Sequence, residues 1–376
     1  MIGIVGGGNI GTELAGELTH RGFSVALYSK DISCFLSGKI KVIDNDRNEE
    51  YVEKIDVITS SLKEVVDNSD IIIVTYPSNA MGYIKDELIS CLKKYKNKKV
   101  IFLPGIGGVE YIFKELVDNG SILIGLQRVP AVYRIKEKGK IAEISGRRKE
   151  GLFAASIPQI DKDELENLIT DIFGLNCQAV PNYLSITLTP SNPILHTSRL
   201  FSLFNKNDKD FAYDKNPLFY GEWDENSAEV LISCDSELGK IKEVLSKKID
   251  VSFVESLLDH YESSDKKSLA NKISSIKSLH NLTSPMLQTE DNKFLVDWSS
   301  RYFKADFPNG LVILKAIGMI CNVLTPVMDK VIMWYQEQVD KEYITSNNEF
   351  GKDIDECNIP QNYGINSLDK LIRFYQ

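Results

Sequence analysis

Hydrophobic positions fall along this chain in two textures. In the first, apolar blocks such as "IGIV", "FSVALY", "DIIIV" and "KKVIFLP" alternate with stretches whose apolar residues recur every three or four positions, as Leu14, Ala15 and Leu18 do in "IGTELAGELTH". Continuous apolar blocks suit strands buried on both faces, and the spaced stretches suit amphipathic helices, so the pattern predicts βα units on a parallel sheet. After Gly120 the segments "SILIGLQRVP", "AVYRI", "KIAEISG" and "GLFAASIP" are short, β-rich and separated by turn residues, which predicts further strands extending the same sheet. "DKDELENLITDIFG" (161–174) reads as a helix with a glycine stop, "NCQAV" as a closing strand, and the first domain is expected to span residues 1–180. The second texture begins at Asn192. "NPILHTSRLFSLF", "NSAEVLISCDSELGKIKEVLSKK", "SFVESLLDHY", "NGLVILKAIGMICNVL" and "PVMDKVIMWYQEQV" all keep helical spacing, which predicts an all-α bundle over residues 181–376. The expected fold class is therefore α/β, a Rossmann dinucleotide-binding domain followed by a helical domain.

Composition narrows the class of protein. A chain of 376 residues with 43% hydrophobic and 26% charged residues has enough apolar surface for two cores. Its formal charge of -9 disfavours nucleic acid and anionic membrane as partners. The six cysteines show no paired spacing and no histidine at ligand distance in sequence, which argues against structural zinc and for free thiols in a reducing compartment. A cytoplasmic protein with no bound metal is expected. The amphipathic helices suit a monomer or a homodimer.

The chemistry is most legible at the start. Gly6, Gly8 and Gly11 stand in G-x-G-x-x-G register between the first strand and helix, where they permit a tight turn, close approach to a pyrophosphate and close helix packing. The backbone amides of Asn9 and Ile10 would face the phosphates from the helix N-terminus. Ser29 and Lys30 follow the second strand where an acidic residue would grip a ribose hydroxyl, so NADP(H) is expected over NAD(H), with Asp31 keeping NAD(H) open. Tyr76, Pro77 and Gly105 lie on turns after later strands and are expected near the nicotinamide half.

In the second half "SNPILHTSRLF" places His196 on the first turn of a helix, with Ser191 or Asn192 expected as its N-cap and Pro193 in its first turn. "RYFKADFPNGLVILKA" offers Asp306 just before another proline-started helix, and histidine oriented by aspartate is a common proton donor and acceptor. Taken alone, the two read more simply as a capped helix entry and a turn aspartate. Lys315 in "GLVILKAIGMI" would serve a ketopantoate-type reductase instead, and a dinucleotide-binding sensor would need none of these groups.

Motifs in consistent order along nearly the whole chain, "GGGNIG", "LPGIGGVEY", "GLQRVPAVYRIKEKG", "NPILH", "PLFYGEWD", "RYFKADFPNGLVILKAIG" and "PQNYGINSLDKLI", resemble the octopine/nopaline dehydrogenase family, the opine dehydrogenases. The resemblance implies an NAD(P)-dependent enzyme that joins an amino acid to a 2-oxo acid, commonly pyruvate, and reduces the imine. It implies His196 as the acid/base, Asp306 as its orienting partner and Arg301 as a holder of a substrate carboxylate. It also implies a helical domain that carries the amino acid. Several members use NAD, against the reading of Ser29 and Lys30.

Overall fold

The computed structural model describes all 376 residues as two compact units, Met1–Thr187 with Tyr375–Gln376, and Leu188–Phe374. The strands of the first unit are β1 (Ile2–Val5), β2 (Val25–Tyr28), β3 (Lys39–Asp44), β4 (Glu49–Lys54), β5 (Val57–Thr59), β6 (Ile71–Val74), β7 (Lys99–Phe102), β8 (Ile122–Leu126), β9 (Ala131–Glu137), β10 (Ile141–Arg147), β11 (Leu152–Ile157) and β12 (Cys177–Ala179). Eight of them form one twisted sheet in the order β12-β11-β8-β7-β6-β1-β2-β5. Every pairing is parallel except β11 against β8. The order reverses direction at β1, whose carboxyl end therefore opens a crevice beside helix α1 (Asn9–His20), the usual ligand edge of such sheets. Strands β1, β2 and β7 contribute Ile4, Leu27 and Ile101 to a core shared with Leu14, Ala15 and Leu18 of α1, so the residues that set the periodicity also bury it. Helix α2 (Lys162–Phe173) is capped as its sequence requires: the Asp161 side chain accepts from the Glu164 amide, and Gly174 takes a left-handed conformation, φ 66°.

One expectation is corrected. "SILIGL" and "GLFAASI" extend the main sheet, but "AVYRI" and "KIAEISG" do not. They become β9 and β10 of a separate four-stranded sheet, β4-β3-β10-β9, that covers the other side of α1. Burial in β3 alternates along the strand, the pattern of a sheet with one covered face. Gly16 lets the helix come close, since a Cβ there would meet the side chains of Val42 and Ile40. Polar groups are sealed in the same layer: Arg147 pairs with Glu17 (2.7 Å) and Asp44 (2.7 Å), while Glu13 is fully buried and, through burial first and Glu17 second, held well above the usual carboxylate range.

A further buried carboxyl meets this unit's chain where it leaves and where it returns. Glu110 is fully buried, and its Oε1 accepts hydrogen bonds from the hydroxyls of Thr187 and of Tyr375 (2.8 Å), while Oε2 is buried without a hydrogen-bond partner. Tyr375 also meets the Tyr111 hydroxyl. The last residue of the first segment and the first of the returning C-terminal segment are thus held by one carboxyl group.

The second unit is helical, built around α3 (Leu195–Phe204), α4 (Glu225–Leu245), α5 (Val312–Ile320) and α6 (Pro326–Gln338), with one short hairpin, β13 (Met286–Gln288) and β14 (Phe294–Val296). Glu237 of α4 accepts the Val327 (2.8 Å) and Met328 (3.0 Å) amides, satisfying donors at the start of α6 that have no partner within the helix and joining the two helices. No helix is long and apolar enough to cross a membrane, and all six cysteines are free thiols.

Candidate active site

The glycine loop has the shape a dinucleotide requires. Gly6 adopts φ 125°, a value that L side chains avoid, and a Cβ there would press on Thr75 and Tyr76. A Cβ on Gly11 would overlap the Gly6 carbonyl oxygen, so only glycine allows the first turn of α1 to close against the strand. Gly8 differs. Nothing stands within 4 Å of the Cβ position at Gly8, which is the N-cap of α1 and lies exposed. The crowding at Gly6 and Gly11 is explained by packing, whereas the glycine at an open position fits a backbone that must approach a ligand. No acidic residue occupies the first turn of α1, which leaves the helix N-terminus free to attract phosphate.

The neighbouring site residues are placed in different ways. Asn9 and Ile10 head α1, and the Asn9 side chain is spent on the fold, accepting from the Ile135 amide of β9 (2.9 Å). Tyr76 lies against Gly6, with Pro77 following it, and the Tyr76 phenol is raised by burial first and by Glu87 second. Gly105 sits at the end of β7, its amide bonded to Leu126 O and its carbonyl accepting from the Tyr183 hydroxyl (3.0 Å), tight enough that a Cβ would strike Gly125. Ser29 is buried, and its hydroxyl donates to the Asp31 carbonyl (2.7 Å) within the turn. Lys30 is exposed, and so is Asp31, whose carboxylate caps the Ser33 amide (2.9 Å).

In the helical unit the two separate motifs meet. "NPILH" and "FPNGL" pack directly, because a Cβ on Gly310 would stand only 3.3 Å from the Pro193 side chain. His196 Nδ1 lies 2.8 Å from Asp306 Oδ2, with both residues buried. The helix α3 begins at Leu195, later than its proline suggested, with Ile194 rather than Ser191 or Asn192 at the N-cap position. Successive turns lead into it: Ile194 N bonds to Pro190 O (2.9 Å) and His196 N to Asn192 O (3.1 Å), so backbone carbonyls accept from the first amides. Asp306 precedes a single π-helical turn, Phe307–Leu311, in which Leu311 N reaches back to Asp306 O (2.9 Å). Such turns reorient one side chain relative to a regular helix and recur at functional sites.

One contact was not foreseen. His196 Nε2 lies 2.9 Å from the Tyr220 hydroxyl, and the Phe219 and Tyr302 rings pack against the imidazole, Tyr302 at 4.7 Å between centroids. Tyr220 belongs to "PLFYGEWD", an irregular segment with no periodicity to mark it, and its proximity depends on a loop closing over α3. Arg301 is exposed at the start of a short helix, Arg301–Lys304. Burial holds the Tyr220 and Tyr302 phenols above their usual range, and the positive charge of Arg301 pulls both the other way. Lys315, the rival proton donor, is fully buried in its own ion pair with Asp329 (2.6 Å), bonded as well to Thr325 (3.0 Å) and Asn348. Its ammonium is consumed by packing within the bundle.

A glycine loop on a Rossmann sheet and a buried histidine–aspartate pair on a helical unit are the equipment of a nicotinamide-dependent oxidoreductase. Comparison with known proteins names the family. Residues 179–339 match the family model "NAD/NADP octopine/nopaline dehydrogenase, alpha-helical domain", and residues 1–118 match "NAD-dependent glycerol-3-phosphate dehydrogenase N-terminus". Opine dehydrogenase of Haliotis discus hannai is 30% identical over 349 residues, spanning 88% of this chain and 84% of that protein. Tauropine dehydrogenase of Arabella iricolor is 28% identical, over 84% of this chain and 83% of its own. A solved structure of octopine dehydrogenase with NADH and L-arginine superposes with a TM-score of 0.87 at 24% identity, covering 99% of this chain and 97% of that one. The chain belongs to the octopine/nopaline dehydrogenase family, the opine dehydrogenases.

Proposed function

We propose that this enzyme condenses the amino group of an amino acid with a 2-oxo acid, pyruvate foremost, and reduces the product to an N-(carboxyalkyl) amino acid, with His196 as the acid/base, Asp306 as its orienting partner and Arg301 as the holder of a substrate carboxylate. The observation that carries this reading is the buried 2.8 Å contact between His196 Nδ1 and Asp306 Oδ2. The named relatives, opine, tauropine and octopine dehydrogenases, support the reaction class, and the octopine dehydrogenase structures with arginine and with pyruvate support the substrate types.

The bound nicotinamide dinucleotide supplies a hydride to the carbon that becomes the new secondary amine centre. The residues of the chain manage the protons. A carboxylate can only accept hydrogen bonds, so Asp306 fixes the ring proton of His196 on Nδ1 and leaves Nε2 as the basic atom. A substrate ammonium must lose a proton before it can attack a carbonyl; the attacking nitrogen passes a second to the oxygen as the carbinolamine forms, and the hydroxyl expelled as water must gain one more. His196 provides the first and last of these transfers, and Asp306 stabilises the imidazolium formed between them. Burial of the pair keeps bulk water from competing for the same protons. The planar guanidinium of Arg301 suits two parallel hydrogen bonds to a carboxylate.

For the dinucleotide, Lys30 supports NADP(H), since its cation suits a 2′-phosphate, while the Ser29 hydroxyl bonds the Asp31 carbonyl in the same turn. The exposed Asp31 carboxylate supports NAD(H) as a second reading. The deciding measurement is kcat/KM with NADPH and with NADH on wild type and Lys30→Ala. A preference for NADPH that collapses in Lys30→Ala upholds the first reading, and a preference for NADH untouched by it upholds the second. For the reaction, nicotinamide absorbance is followed with pyruvate against a panel of amino acids. His196→Gln is expected to lower kcat by roughly 10²–10⁴ while leaving dinucleotide binding intact. Arg301→Lys is expected to raise KM for the substrates with little change in kcat. Wild-type turnover retained in His196→Gln would overturn the assignment.

A further inference from the structure

The atom of His196 that should meet substrate is already taken. Nδ1 faces Asp306, and Nε2 is 2.9 Å from the Tyr220 hydroxyl. With the ring proton on Nδ1, Nε2 can only accept, so Tyr220 is the donor and its own oxygen lone pairs face outward from the pair. A hydroxyl there is either a plug that must swing away when substrate arrives or the group through which the proton passes.

The surroundings of Tyr220 favour the second. Arg199, on α3 one turn beyond His196, is fully buried, and its guanidinium is spread over the loop that carries Tyr220. Nε donates to Phe219 O (2.9 Å), and the terminal nitrogens donate to Leu218 O (3.1 Å), Glu222 O (2.7 Å) and Ser227 Oγ (2.9 Å). Three carbonyls on both sides of Tyr220 are therefore tied to the helix that carries the histidine. The ring itself is enclosed by Phe219, at 5.0 Å between centroids, and by Trp223, nearly parallel at 6.4 Å. Such a loop holds the hydroxyl in register with Nε2 rather than allowing it to hinge. A guanidinium buried at the cost of its hydration makes sense where fixed geometry is required, because Arg can bind several carbonyls at once from one planar fork.

Resting on the reaction proposed above, we infer that Tyr220 is a further catalytic residue, the terminal hydroxyl of an Asp306–His196–Tyr220 proton chain, and that Arg199 is the positioning residue that holds it. When substrate ammonium is deprotonated, its N–H bond breaks and an O–H bond forms at Tyr220. The original phenolic proton moves to His196 Nε2, and Asp306 faces the resulting imidazolium. The same transfers run backwards to protonate the hydroxyl that leaves as water. No electrons leave or enter the chain of residues, and the proton count is unchanged over the cycle. The Tyr220 hydroxyl contacts His196, and the charged and titratable groups whose fields act on it are Tyr302, Tyr261, Asp306 and Arg301.

Tyr220→Phe removes the hydroxyl and keeps the ring between its neighbours. In the full-length enzyme with pyruvate and its best amino acid, kcat is expected to fall by about 10²-fold or more, with KM for both substrates and the dissociation constant of the dinucleotide within about threefold. A plug would behave oppositely, with kcat unchanged or raised and KM lowered, and that result would overturn the inference. Should Tyr220→Phe melt early, 3-fluorotyrosine at position 220 keeps size and packing while making the phenol more acidic. A chain of proton transfer then moves the kcat–pH profile to lower pH at unchanged melting temperature, and an unmoved profile refutes it. His196→Gln separates the two readings: activity lost there but kept in Tyr220→Phe sinks the tyrosine alone, whereas a wild type that turns over no substrate pair sinks the reaction and the chain together.

Discussion

Replacing Glu110 by glutamine isolates the energetic consequence of a buried acid. In the folded protein the carboxyl is completely buried, and desolvation raises its pKa from 4.5 to about 7 despite the hydrogen bonds from Thr187 and Tyr375 that oppose the shift. Because the folded value is the higher one, the native state holds the proton more tightly than the unfolded chain. The stability it confers is full below about pH 4.5 and is lost as pH rises through about 7. A shift of this size corresponds to about 3 kcal/mol, of which about 2.5 kcal/mol is lost between pH 5 and pH 8. Glutamine is nearly isosteric with the protonated acid and cannot ionise. At pH 5 Glu110→Gln should thus match wild type to within about 1 kcal/mol, and at pH 8 it should be the more stable of the two. For a domain of this size the crossover amounts to about 5–10 °C in melting temperature, read by calorimetry on both proteins from pH 5 to 8.5. Melting curves that shift in parallel with pH, or a variant that loses ground as pH rises, would refute the desolvation argument.

The glycine loop and the rival lysine yield further tests. Gly8→Ala meets no neighbour, so it should fold with an unchanged melting temperature and bind dinucleotide at least tenfold more weakly by fluorescence titration. Gly11→Ala collides with the Gly6 carbonyl and should lose stability even without ligand, by about 1–3 kcal/mol in denaturant titration. Lys315→Met breaks the buried pair with Asp329. It should cost about 1–3 kcal/mol, since Asp329 keeps partial solvent contact, while turnover of the folded fraction persists. Loss of turnover without loss of stability in Lys315→Met would restore the ketopantoate-type reading.

Where short-range pattern governs the outcome, the chain reads correctly on its own. The strand–glycine–helix start specifies a nucleotide loop because tight turns, close backbone approach and helix polarity are all local consequences of residue type. The cap at Asp161 and the stop at Gly174 are equally local. The β-rich stretch after Gly120 was harder: "AVYRI" and "SILIGL" have similar β propensity, and only the availability of the uncovered face of α1 sends one to a second sheet and leaves the other in the first. Ser29 shows the same limit, since its type is compatible with phosphate and its rotamer is decided by the Asp31 carbonyl two residues on.

The site divides along the same line. His196 and Asp306 could be named from their motifs, but 110 residues separate them, and their contact depends on Pro193 packing against Gly310 and on a π-helical turn that no periodicity announces. Tyr220 could not be read at all as a partner of the histidine, because its place depends on Arg199 gathering three carbonyls of an irregular loop. Sequence alone determined the two textures, the dinucleotide loop and the residue types able to move a proton, all of which follow from spacing and side-chain chemistry within one element. The tertiary structure decided which of those groups share a proton, since a hydrogen bond is set within a few tenths of an ångström by packing between elements and by no property of either residue alone.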